Sequence, residues 1–369
     1  MVAHAFTPFA GVGLILLLAV LPWHLRAKNT AVILLTFWLG IDLLVLFVNS
    51  IVWWDNVDIK AKVWCDISTK IVYSGQIGPV CCCLCVLRRL ESIASTRVVR
   101  STPRDARRHL IFDLCIGFGV PIIFTALHIV NQGHRFDVVQ GMGCLPTVYY
   151  TPVAVALNLV PPLLVSLIAV IYGLLALRWF VIRRQQFNAI LQASCSHIDR
   201  SRYLRLMAMA GTEACVSFPI NLATFISKFQ YTHKLQPWIS WEDTHYDFGA
   251  IGQITPQYFQ ATEDRQRYWR TLELGRWGIV VGTFMLFAFF GTTKEAFAAY
   301  TYLPRLLAKK AKVAKIRFQR QPPASPPVIA TIHTAWQIDS SPDSEKQNLS
   351  SVEVGEIKST ISNQEKVYD

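Results

Sequence analysis

Residues 30–53 read TAVILLTFWLGIDLLVLFVNSIVW, an apolar run of about 24 residues that carries a single charge, Asp42. A run of 18 or more apolar residues is long enough, as a helix, to cross the hydrocarbon of a bilayer. Six further stretches of the same kind surround it, at 6–22 on one side and at 63–87, 110–131, 152–180, 204–229 and 272–290 on the other. The expected fold class is an all-α membrane protein, a seven-transmembrane helix bundle occupying residues 1–295. Composition agrees: 52% of the 369 residues are hydrophobic and only 16% charged, where a soluble domain carries about 25% charged residues. The first stretch is followed, not preceded, by the basic segment WHLRAKN at 23–29. That order suits a span entered from outside rather than a signal peptide, which carries its positive charge in front.

Basic connections resist translocation and stay cytoplasmic. Arg88, Arg89, Arg97, Arg100, Arg104, Arg107 and Arg108 follow the third stretch, and Arg178, Arg183, Arg184, Arg200, Arg202 and Arg205 surround the connection after the fifth. The connections near 55–62 and 132–150 are close to neutral. The N-terminus is therefore expected outside and the C-terminus in the cytoplasm. The net charge of +12 is then the inner face of a membrane protein, and no nucleic-acid partner is implied. Past the seventh stretch, 296–320 reads as a basic amphipathic helix lying on anionic lipid. Residues 321–369 are rich in Pro, Ser, Glu and Asn and read as a disordered cytoplasmic tail.

Sorted by side, the cysteines leave Cys65 and Cys144 alone on the outer, oxidising face. A bridge between them would tie the third span to the second outer connection; two free thiols are the alternative. The run CCCLC at 81–85 cannot converge on one metal ion, because successive helical side chains point about 100° apart. It suits buried packing or, at the basic boundary, S-acylation. Polar groups within spans normally face the bundle interior. Asp66 and Lys70 can pair at i, i+4. With Tyr73, Gln76, His128, Asn131 and Asn158 they are the ligand-pocket candidates of the outer half. The third outer connection, about 230–271, is too aromatic for a freely solvated loop, which adds Trp238 and Trp241. Pro161, Pro162 and Pro219 are expected to kink their helices. The GIVVG run at Gly278–Gly282 suits close packing inside the bundle or, as a GxxxG face, a homodimer. HExxH, Walker, GxSxG and dinucleotide motifs are all missing, so no enzyme, cofactor or metal site is expected. A polytopic membrane transporter or channel is the rival class, although no internal repeat or paired broken helices favour it.

The segments LPWHLRAKNTA, FVNSIVWWDN, WCDISTK, RRLESI, PWISWEDTHYDF and RWGIVVGTFMLFAFFGTTKEAFAAY occur in this order over about 300 residues. They resemble the fungal a-factor-type mating pheromone receptors, class D of the G-protein-coupled receptors. The resemblance implies a multi-pass plasma-membrane receptor for a short farnesylated peptide pheromone. It also implies coupling to the alpha subunit of a heterotrimeric G protein, ahead of a mating cascade. Carried over by position, Arg88 and Arg89, with Arg183, Arg184, Arg202 and Arg205 around the third inner loop, are candidate G-protein contacts. Positive-inside charge alone also accounts for them. The sequence has Arg88-Arg89-Leu90-Glu91 where better-known receptors carry an acidic-Arg-Tyr triplet.

Overall fold

The computed structural model describes residues 2–27, 29–95, 103–183, 200–231 and 236–292; the segments 296–320 and 321–369 lie outside them. Among the described residues, seven helices are long and apolar enough to cross a membrane: Ala5–Pro22, Thr30–Val52, Lys62–Ala94, Pro103–Asn131, Pro152–Ile182, Tyr203–Ile226 and Glu263–Phe290. Several outrun their apolar stretches. The third continues past Leu87, the fourth starts at Pro103, and the seventh starts at Glu263 instead of near Leu272. Hydropathy senses the lipid-matched part only, whereas backbone hydrogen bonding carries on into polar sequence. At the seventh start, Thr262 accepts from the Arg265 N–H at 3.3 Å, and Glu263 and Asp264 occupy the first turn, a favourable N-terminus for a helix.

Proline chemistry shapes the bundle's interior. The third span is two helices, Lys62–Gly75 and Gly78–Ala94, because Pro79 offers no N–H to the Gly75 carbonyl and glycines flank the joint. In the fourth span Pro121 likewise orphans the Gly117 carbonyl. The backbone widens to a π-helical turn over Cys115–Gly119, and Trp38 Nε1 donates to that carbonyl at 2.8 Å, with the Cys82 thiol at 3.7 Å. A second π turn, Val155–Leu159, precedes Pro161 and Pro162 in the fifth span, while the sixth helix continues unbroken through Pro219.

The third span is central: 72% of its apolar window is buried, against 22% for the fourth and the seventh. Cys81, Cys82, Cys83 and Cys85 are all buried, as packing residues are. Close packing of the glycine run inside the bundle is not what the structure shows at Gly278, where an added Cβ would meet no atom within 4 Å. The buried residues of the seventh span, Arg276, Val280, Thr283, Leu286 and Phe290, lie on a different face.

A small sheet closes one end. Strand β1 (Phe136–Val139) pairs antiparallel with β2 (Gly143–Leu145) and parallel with β3 (Ile251–Ile254), in the order β2-β1-β3. The hairpin turns on Gly141 and Gly143, at φ 77° and 78°, a conformation glycine adopts without steric cost. Gly143 also lacks room for a side chain, since a Cβ would approach Asn49 to 2.6 Å and Trp53 to 2.8 Å. A disulfide joins Cys65 of the third span to Cys144 of β2, with Cα atoms 5.3 Å apart. Around it pack Trp53, Phe136 and Val138. The sheet comes from connections 4–5 and 6–7, which in an alternating bundle share an end with connection 2–3.

Candidate functional site

Just beneath the sheet, the first helix of the third span presents Asp66, Lys70 and Tyr73 at helical spacing on one face. Tyr73 is fully buried, stacked on Phe124 at 4.6 Å and on His128 at 4.0 Å between ring centroids. Its hydroxyl donates to Asn158 Oδ1, which also accepts from Asn131 Nδ2 at 3.0 Å. Third, fourth and fifth spans are thus joined by one shared acceptor. Asn158 sits in the π turn ahead of the proline pair.

Lys70 Nζ lies 3.0 Å from His128 Nδ1 and 2.5 Å from Gln132 Oε1. Lysine has donors only, so Nδ1 must accept. The ring proton therefore sits on Nε2 and is donated to the Thr147 carbonyl at 2.8 Å, giving a neutral imidazole. Gln132 completes its amide by donating to the Arg135 carbonyl at 2.7 Å. The expected Asp66–Lys70 pair is replaced: Arg135 grips Asp66 with a fork, Nε to Oδ1 at 2.8 Å and Nη2 to Oδ2 at 2.6 Å. Planar guanidinium geometry matches a carboxylate two bonds at a time, which an ammonium cannot do. Beside it His134 Nε2 meets Asp137 Oδ1 at 2.7 Å, and that carboxylate holds the histidine above its ordinary value.

Asp66, Thr69, Lys70, Gln132, Arg135 and Phe248 line a cavity of about 430 Å³. That volume is within the range of small-ligand sites, about 300–1,000 Å³. Of the ligand-pocket candidates, Asp66 and Lys70 line it, His128 buttresses Lys70, and Tyr73, Asn131 and Asn158 form the buried layer behind. Gln76 stands apart, exposed at the helix joint, because the break there resets the helical phase. Trp238 and Trp241 are 42% and 50% exposed. Trp241 stacks on His245 at 4.0 Å, and His245 Nε2 reaches the Ile129 carbonyl at 2.8 Å, so this aromatic edge adjoins the cavity without lining it.

At the opposite end Arg88 lies over the Phe112 ring at 3.8 Å. Arg183 lies over Trp179 at 4.8 Å and donates to the Ala94 carbonyl at 3.5 Å. Arg89 and Arg205 are half-buried; Arg184 and the side chain of Arg202 lie outside the described residues.

Sequence reasoning missed Arg135 and Gln132, which lie in a connection read only for its near-neutral charge. It also missed Arg276 and Glu273, although the seventh apolar stretch contains both. Arg276 is buried, bound to Glu273 at 2.6 and 2.8 Å and to the Gly141 carbonyl at 3.0 Å. An acid and an arginine three residues apart inside an apolar run was the available signal.

Seven membrane-length helices among the described residues, with a disulfide-bonded sheet beside a cavity that carries charged groups, define the class of a seven-span membrane protein. The chain belongs to the pheromone A receptor family, STE3, which matches residues 5–308. It is 32% identical to pheromone receptor 1 of Ustilago hordei over 95% of this chain and 98% of that one. With pheromone receptor 1 of Mycosarcoma maydis the identity is 37% over 81% and 83% of the two chains. The Saccharomyces cerevisiae pheromone a factor receptor is 24% identical over 78% of this chain and 58% of its own.

Proposed function

We propose that this chain is a plasma-membrane G-protein-coupled receptor for a farnesylated peptide mating pheromone. In this reading the sheet-bearing end faces outside. The peptide occupies the cavity at Asp66, Lys70 and Arg135, and its lipid lies along the Trp238–Trp241 edge. The arginines at the other end, Arg88, Arg89, Arg183 and Arg205 among the described residues, meet the alpha subunit of a heterotrimeric G protein. The observation that carries the reading is the cavity itself, a hollow with Asp66, Lys70 and Arg135 on its wall that opens between the third and fourth spans and the connections flanking the sheet, at the end where the disulfide sits. Disulfides persist in oxidising compartments, which supports an external cavity. Pheromone and a factor receptor names among the relatives support the ligand class.

Ligand engagement here has a physical route to the other end. Asp66, Lys70 and Tyr73 stand on the short helix Lys62–Gly75, joined to the long helix Gly78–Ala94 through the broken turn at 76–77 and through the packing of Tyr73 with Ile77 and Cys81. The long helix runs on to Leu90, whose carbonyl receives the Tyr203 hydroxyl of the sixth span at 3.3 Å, so in this reading a shift of the short helix reaches the sixth span through it. Expression in a fungal strain lacking its own receptors, challenged with synthetic farnesylated peptides, tests the reading. Activation of the pathway reporter by a farnesylated peptide and not by its unlipidated form is the expected result. Silence toward every lipidated peptide, with receptor present at the surface, would sink it.

A further inference from the structure

The charge on the cavity wall is unbalanced. Asp66 is the sole carboxylate among the described residues that line it, and both of its oxygens are taken by the Arg135 fork. Lys70, one helical turn on, uses its ammonium on two neutral acceptors, His128 Nδ1 and Gln132 Oε1. The imidazole is held neutral by that same contact, so it supplies no counter-charge and no second cation. Asp66, Arg135 and Lys70 together leave one excess positive charge. An ammonium has three N–H donors, and two are occupied, which leaves one donor on a side chain that lines the cavity.

From this we propose that the cavity is a subsite for a carboxylate of the ligand, received by Lys70. The inference rests on the receptor reading above and adds to it the chemistry of one ligand group. One excess positive charge matches a monoanion, whereas a phosphate would bring about two negative charges and leave the site negative. Arg135 keeps N–H donors beyond its fork, but its charge is already balanced by Asp66, whereas Lys70 meets only neutral acceptors. Gln132 fixes the ammonium's position, and its own amide is anchored on the His134 and Arg135 carbonyls at 3.3 and 2.7 Å. Lys70 is therefore preorganised, so a ligand carboxylate gains a charge-assisted bond without first ordering a flexible side chain.

The carboxylate has two sources in a peptide, an acidic side chain or the terminal α-carboxyl. The test uses the full-length receptor, epitope-tagged for surface level, in the receptor-free reporter strain. The probes are an active farnesylated peptide, the same peptide with its Asp or Glu changed to the amide, and the same peptide with its α-carboxyl methylated. Removing the recognised carboxylate should raise the half-maximal concentration about tenfold at the wild type and less than about twofold at Lys70→Gln. Lys70→Arg should retain the preference. The arm that shifts names the source. Equal potency of all three probes at the wild type overturns the subsite, and so does a Lys70→Gln variant that weakens all three by one common factor. Should Lys70→Gln fail to reach the surface, the wild-type comparison decides alone, since it changes only the ligand. Silence of every peptide at the wild type is a different result: it overturns the receptor reading and takes this inference with it.

Discussion

Asn158 accepts two hydrogen bonds at once, from Tyr73 and from Asn131, and in an apolar bundle such acceptors decide which helices stay together. Tyr73→Phe deletes one bond and leaves the other in place, so it should cost about 1 kcal/mol. Asn158→Ala strands both donors and should cost more, about 1–3 kcal/mol. Thermal unfolding of the purified receptor in detergent checks the order, and equal losses would mean that the shared acceptor has no special role. A second residue-scale case is Asp42, fully buried and with neither carboxylate oxygen hydrogen-bonded. It fits only because Gly75 has no side chain, for a Cβ there would fall on the carboxyl group. Gly75→Ala should therefore destabilise by about 1–3 kcal/mol. Combining it with Asp42→Ala should recover most of that loss, and two additive losses would contradict the steric account.

At the scale of elements, the β1–β2 hairpin is a clasp. Gly141 donates its N–H to the Trp53 carbonyl at 2.7 Å and accepts from Arg276 at 3.0 Å, so one turn residue joins the second span to the seventh. Arg276→Met would free the hairpin from the seventh span and leave the half-buried Glu273 without its partner, which should cost about 1–3 kcal/mol. A midpoint shift no larger than that of an exposed substitution such as Arg267→Met would refute the clasp. The strand β1 carries a pH dependence as well. His134 is raised above its ordinary value by Asp137, with Asp247 adding to the effect. Its contribution to stability is therefore complete below an unfolded histidine's value of about 6.5 and is lost as pH rises through the higher folded value. Wild type should lose more stability than His134→Gln between pH about 6 and 8, as thermal midpoints will show. Elements also differ in how well they could be read beforehand. Seven spans were legible because lipid demands length and apolarity together. The parallel pairing of β1 with β3 was not, since it joins two four-residue strands from distant connections and strands so short carry little periodic signal. Lys70 and Asp66 stood out as polar groups inside a span. Their partners Arg135 and Gln132 did not, because a loop's sequence does not say which helix it will fold onto.

For the whole molecule, the two ends differ in charge, and that difference has a direction. Asp55, Asp58, Lys60, Lys62, Arg135, Asp137, Glu242, Asp243 and Asp247 mix both signs around the sheet, whereas Arg88, Arg89, Arg104, Arg107, Arg108, Arg178 and Arg183 crowd the other end. Arginine-rich connections stay cytoplasmic, so the sheet and its cavity should be external. Ile59 is 42% exposed in the second connection, and Arg104 is exposed at the start of the fourth span. With Cys115, Cys195 and Cys215 replaced by Ala, the remaining thiols are Cys81, Cys82, Cys83 and Cys85, all buried, since Cys65 and Cys144 are bonded. In that background Ile59→Cys should react with a membrane-impermeant maleimide on intact cells, and Arg104→Cys only after permeabilisation. The reverse pattern would put Lys70 and its cavity in the cytoplasm, out of reach of a secreted peptide. Labelling of neither site on intact cells, with both labelled after lysis, would place the receptor on an internal membrane instead. Orientation thus decides whether the excess charge at Lys70 faces an arriving ligand, which makes this labelling the experiment on which the other functional tests depend.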